Sequence, residues 1–177
     1  MPQINDEGPI DPAELIRLGT VASVNLGTGN CTVEVGDIVT PAIPWIEPRM
    51  GATRTWSPPT VGEQVLLICP ESELGLAVAL RGIPSNSFPV AGTTLEELIE
   101  FSDGARIAYD PESHRLTATL PAGSTVAITA ETVTIDGDVT VTGTVTADVD
   151  VIGGGKSLKT HRHSGTQPGG GQSGPPA

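Results

Sequence analysis

Between Val133 and Val151 the sequence alternates without interruption: every odd position is Val, Ile, Ala or Gly, and every even position is Thr or Asp. In an extended chain the side chains at i and i+2 share a face, so this period of two builds a strand with one aliphatic side and one polar side. At nineteen residues the run is far longer than an ordinary strand of about five or six. It holds no aromatic residue that would fill a broad core. One chain cannot bury so narrow a stripe alone. Identical copies wrapped about a common axis can, with small aliphatic groups meeting inside and Thr and Asp facing water, so the segment reads as the shaft of an oligomer.

The stretch before it carries the same pattern out of phase. Val126 and Ile128 are even-numbered, so the alternation must slip between Ala130 and Thr132, as a bulge or corner allows. Gly137 and Gly143 fall on the inward phase, where an axis is too crowded for a Cβ or the strand bends.

Upstream the pattern is different. Short strand-like runs at residues 16–25, 31–35, 62–69 and 76–83 are separated by Gly, Pro and Asn turns. About five short strands in this span point to a small barrel of the OB type. The expected organisation is an N-terminal arm at residues 1–14, an OB-fold collar at 15–88 and a linker at 89–105. A stem at 106–152 and a Gly-rich apex at 153–177 complete it. Within the linker region, residues 94–100 are too few for more than one or two helical turns. The stem opens with two short crossings, Arg106 to Asp110 and Arg115 to Leu120, around an Asp110-Pro111-Glu112-Ser113 turn. The expected fold class is all-β: an OB barrel followed by an intertwined β-stem.

Composition narrows the functions. With 22 Gly, 16 Pro and only 3% aromatic residues, the chain has little material for a large core of its own. A formal charge of −12 repels nucleic-acid phosphate and anionic lipid alike. Cys31 and Cys69, each in or beside an apolar run, read as reduced core thiols. No basic-then-apolar leader opens the sequence, and its longest apolar run is far below the ~20 residues a membrane helix needs.

His161-Arg162-His163 carries the most specific chemistry. In an extended backbone both imidazoles project to one side and Arg162 to the other. In one chain such a pair is a weak bidentate site, whereas around a threefold axis it supplies six nitrogens. Imidazole suits Fe, Ni, Zn and Cu, and six-coordination disfavours zinc. The run Gly153-Gly154-Gly155-Lys156-Ser157 mimics a phosphate loop but has Asp150 where the first glycine belongs, and it reads instead as a narrowing of the stem. Asp136, Asp138, Asp148 and Asp150 lack a calcium-loop pattern and read as a solvated acidic stripe. Asp103, Asp110, Glu112 and His114 read as turn and surface residues. No spacing supports catalysis, so no enzyme, nucleic-acid or small-molecule function is expected.

The ordered set of barrel, linker, alternating stem and terminal His-x-His resembles the baseplate assembly protein V family, the central spike of contractile phage tails and R-type pyocins. The segments RLGTVASVN, PWIEPRMGATRTWSPPTVGEQVLLICPESELGLAVAL, DGARIAYDPESHRLTATLPAG and SLKTHRHSGTQPGGGQSGPP carry the likeness. The resemblance implies a homotrimer with a triple-stranded β-helix and one iron ion held octahedrally by His161 and His163 of all three chains. It also implies that the collar attaches to the baseplate hub and tail tube, while the tip meets the outer membrane of a target bacterium on sheath contraction. Such a particle component is made in the bacterial cytoplasm and released with the tail. A receptor-binding trimeric fibre or adhesin is the alternative, set apart by the broad recognition head that fibres carry.

Overall fold

A computed structural model describes residues 12–162 of the chain, in two compact units divided after Thr125. The first unit begins with a single helical turn, α1 (Pro12–Leu15), and then β1 (Ile16–Asn25) and β2 (Asn30–Val35). Two short strands come next, β3 (Ile38–Val39) and β4 (Ile43–Pro44), and then β5 (Gln64–Ile68) and β6 (Val78–Ile83). The long strands fall where the hydrophobic runs place them.

Hydrogen-bonded neighbours run β3-β2-β1-β5-β6, with β4 also on β2. Trp45, just beyond β4, bridges Ala79 of β6, and the Ile46 amide donates to the Ala79 carbonyl at 2.9 Å. That contact joins the two ends of the sheet into a ring, as an OB barrel requires. Inside it, Val21, Cys31, Val33, Ile43, Val65, Leu67 and Ala79 are each 2% exposed or less, the inward members of alternating strands. The core is small, as the composition requires.

Gly19 in β1 shows how tightly the barrel closes. A Cβ there would collide with Val33 Cγ1 and lie 2.9 Å from the Glu34 carbonyl oxygen, a backbone atom that cannot swing away. Gly19→Ala is expected to destabilise the fold by about 1–3 kcal/mol, the usual cost of overpacking, read as a lowered midpoint in denaturant titration.

A buried carboxylate secures one loop of the barrel. The Glu47 side chain is 1% exposed. It accepts hydrogen bonds from Trp45 Nε1 at 2.9 Å, the Ser57 amide at 2.9 Å and Thr55 Oγ1 at 3.1 Å. Arg81 Nη2 stands 3.5 Å from the carboxylate and donates to the Ile46 carbonyl at 2.9 Å, while Nη1 donates to the Ser57 carbonyl. The indole of Trp56 packs on Trp45 with ring centroids 5.4 Å apart.

The remainder of the first unit holds a three-stranded antiparallel sheet: β7 (Glu97–Glu100), β8 (Arg106–Asp110) and β9 (Arg115–Thr119). The two crossings expected around the Asp110 turn are β8 and β9, paired Asp110↔Arg115 through Arg106↔Thr119. The linker expected at 89–105 needs correcting, because its Glu97–Glu100 segment pairs with β8 as a strand and takes no helical form. Leu98 lies opposite Ala108, and Arg106 holds Glu96 through two hydrogen bonds of 3.1 and 2.6 Å, fixing the edge in register.

Candidate metal centre and stem surface

The second unit contains the alternating run. Among the described residues, 126–150 form no strand pairing and no backbone–backbone hydrogen bond within the protomer. Their aliphatic side chains face solvent in the single chain, from 52% exposure at Val141 to 80% at Val149. Among the described residues the apolar stripe is therefore mostly uncovered, and the backbone amides and carbonyls of residues 126–150 have no backbone partner within the protomer.

The barrel carries a second apolar stripe, on its outside. Ile16 and Leu18 of β1 lie beside Ile68 and Leu66 of β5, and these beside Val78 and Leu80 of β6. Ile16, Leu18, Ile68 and Leu80 are all exposed. The signal was present in the sequence: Val65-Leu66-Leu67-Ile68 is apolar in both phases, the mark of a strand covered on both faces.

Beyond residue 151 the chain turns back on itself. β10 (Ile152–Gly153) and β11 (Lys156–Ser157) pair antiparallel, Ile152 with Ser157 and Gly153 with Lys156. Gly154 and Gly155, at φ 56° and 77°, form the two-residue turn. Positive φ at both central positions is what a type I′ hairpin demands, and glycine provides it without a Cβ clash. The glycine run expected as a simple narrowing of the stem is thus the tip of a tight hairpin. The Leu158 amide extends the ladder by donating to the Val151 carbonyl at 2.9 Å.

Asp150 departs from the solvated-stripe reading. Its Oδ1 accepts from the Val151 amide at 2.8 Å and from the Lys159 amide at 3.2 Å, so it bridges the two sides of the hairpin. The Ser157 hydroxyl foremost, with the amides of Lys159, Val151 and Leu158, holds this carboxyl below the ordinary aspartate value against partial desolvation. The Ser157 oxygen in turn accepts from the Thr160 amide and the Thr160 hydroxyl, both at 2.9 Å.

This loop delivers the first histidine of the predicted pair. The His161 amide donates to the Ser157 carbonyl at 3.1 Å, and His161 Nδ1 lies 3.0 Å from the Leu158 carbonyl oxygen. A carbonyl only accepts, so in this contact Nδ1 is the nitrogen that carries a proton. An imidazole anchored at one nitrogen by a backbone carbonyl is the usual preparation of a metal-ligating histidine, so His161 fits the group expected of it. His163 lies outside the described residues. Among the described residues, no three His, Cys, Asp or Glu side chains of one protomer converge on a common point.

The other candidates are structural. Asp110 accepts from the Glu112 amide at 2.9 Å and the Ser113 hydroxyl at 2.6 Å, and Asp103 from the Ala105 amide at 3.0 Å, so both serve turns. His114 follows with φ 54° at the end of the same turn. Cys31 and Cys69 are free and buried, and burial pushes both thiols up. Among the described residues no helix is long and apolar enough to cross a membrane.

A family model for the type VI secretion system/phage-baseplate injector OB domain matches residues 17–83, the span of the barrel. The chain is also 33% identical to the spike protein of Escherichia phage P2 over 196 aligned positions, covering 92% of this chain and 92% of that protein. It belongs to the phage baseplate spike family.

Proposed function

We propose that this protein is the membrane-piercing central spike of a contractile phage tail or R-type pyocin, acting as a homotrimer and without catalysis. The observation that carries the reading is the stem. A nineteen-residue run with a dry side and a wet side leaves its aliphatic groups exposed and, among the described residues up to 150, makes no backbone–backbone hydrogen bond in one protomer. Three copies intertwined as a β-helix satisfy both at once and leave no sheet edge to open under load. The outer apolar stripe of the barrel supports self-association of the collar in the same way. The collar then attaches to the baseplate hub and tail tube, and the tip crosses the target outer membrane when the sheath contracts.

The weak point of such a needle is its end, where three Gly-rich chains would splay. His161 and His163 of each chain would hold one iron ion there, six imidazoles in all. Metal ligation would tie the three chain ends together, so that binding free energy becomes tip stability.

Sedimentation equilibrium and elemental analysis of the same purified sample test both halves. The expected result is three chains per particle and one iron per three chains. His161→Ala should remain trimeric and lose most of its iron, because half of the ligands are gone. A monomer would sink the spike, and equal iron in variant and wild type would sink the metal assignment.

A further inference from the structure

The metal-apex reading leaves open what aims the imidazole, and the hairpin offers an answer. The Leu158 carbonyl that receives His161 Nδ1 and the Lys159 amide held by Asp150 are two ends of one peptide unit. A trans peptide is planar, with N–H and C=O pointing in opposite directions, so fixing one end fixes the other. This bond is trans, as the described chain contains no cis peptide. We propose that Asp150 is the positioning residue of the apex: through the Leu158–Lys159 peptide it holds the His161 ring with Nδ1 protonated and Nε2 as the donor nitrogen.

Three features bear this out. Asp150 also binds its own neighbouring amide, Val151, at 2.8 Å, so the carboxylate is tied to the last residues of the stem before the hairpin begins. Accepting at the amide end polarises the peptide and makes its carbonyl a better acceptor for the ring N–H. Lys159 adds a second tie in the same place, its ammonium reaching the Val149 carbonyl at 3.4 Å. The turn glycines, Asp150, Ser157 and His161 then form one device. The hairpin folds back, the carboxylate locks it, and the locked peptide sets the tautomer.

The inference rests on the metal reading for its purpose but not for its test. Full-length protein labelled with ¹⁵N-histidine, stripped of metal and held at mildly alkaline pH, reports the tautomer of His161 through its ring nitrogen shifts. Single substitutions assign the three histidines. Wild type should show Nδ1–H at His161. Asp150→Ala should show a mixture of tautomers and bind iron(II) about tenfold more weakly, the lower end of the range for groups behind a ligand. Asp150→Asn keeps an acceptor oxygen and should match wild type in both. Wild-type protein with Nε2–H at His161, or an unchanged tautomer in Asp150→Ala, overturns the proposal. Should Asp150→Ala fail to assemble, the ring shifts of the unassembled chain must still show the mixture of tautomers, because the contacts named here lie within one protomer. If iron(II) binds not even wild type, the metal reading falls while the ring shifts still decide the role of Asp150.

Discussion

Val139→Asp should abolish assembly, giving a species that sediments as a single chain, whereas Thr140→Asp, one residue on, should sediment as wild type does. The two positions face opposite sides of an extended strand, so the pair isolates the face from the charge. Val139 is 63% exposed in the protomer, and Asp there costs the single chain almost nothing. In the proposed trimer the same substitution would remove three valines, each worth about 1.5–3 kcal/mol when buried. It also places three carboxylates together in a dry interior, at several kcal/mol per unpaired ion. The sum is on the order of 10 kcal/mol against association, more than such an interface can absorb. Circular dichroism of the barrel should be unchanged in both variants, since the first unit has its own core. An intact trimer carrying Val139→Asp would mean that this face of the run is not the inner one.

That contrast also explains which parts of the molecule the sequence exposes to reading. β1, β5 and β6 are legible because inward residues such as Val21, Val65 and Leu67 alternate with outward ones and because turn residues bound each run. β7 is hidden: Glu97-Leu98-Ile99-Glu100 has no alternation long enough to distinguish strand from a helical turn, and only pairing with β8 decides it. For the proposed metal pair, the spacing of His161 and His163 is local information and can be read directly. The role of Asp150 cannot be, because its partner amide at Lys159 is brought near only by the Gly154-Gly155 turn. In the alternating pattern it looks like one more wet-face aspartate. Glu47 is concealed for the same reason: its partners at Trp45, Thr55, Ser57 and Arg81 are assembled by a loop and by barrel closure.

Glu47 should therefore be among the most sensitive positions of the collar. Glu47→Ala leaves the Trp45 indole N–H, the Ser57 amide and the Thr55 hydroxyl without their acceptor and Arg81 without its counter-charge. Breaking one partner out of a buried charged network costs about 3–5 kcal/mol. A small barrel has little in reserve, so the expected outcome is a collar unfolded or nearly so at 37 °C, followed by thermal melting of the barrel signal. Glu47→Gln keeps an acceptor for Trp45 and Ser57 and should cost about 1–2 kcal/mol. Acid titration separates charge from shape. The Ser57 amide foremost, with Trp45, Thr55 and Arg81, holds this carboxyl below its ordinary 4.5 against the opposing effect of burial. A folded-state value lower than the unfolded one contributes stability that is fully present above about pH 4.5 and is lost as pH falls through the folded value. Wild-type stability should thus decline on the acid side of pH 4.5, and Glu47→Gln, with no proton to take up, should show a shallower decline. Identical acid slopes in the two proteins would show that Glu47 is not held as an anion by this loop.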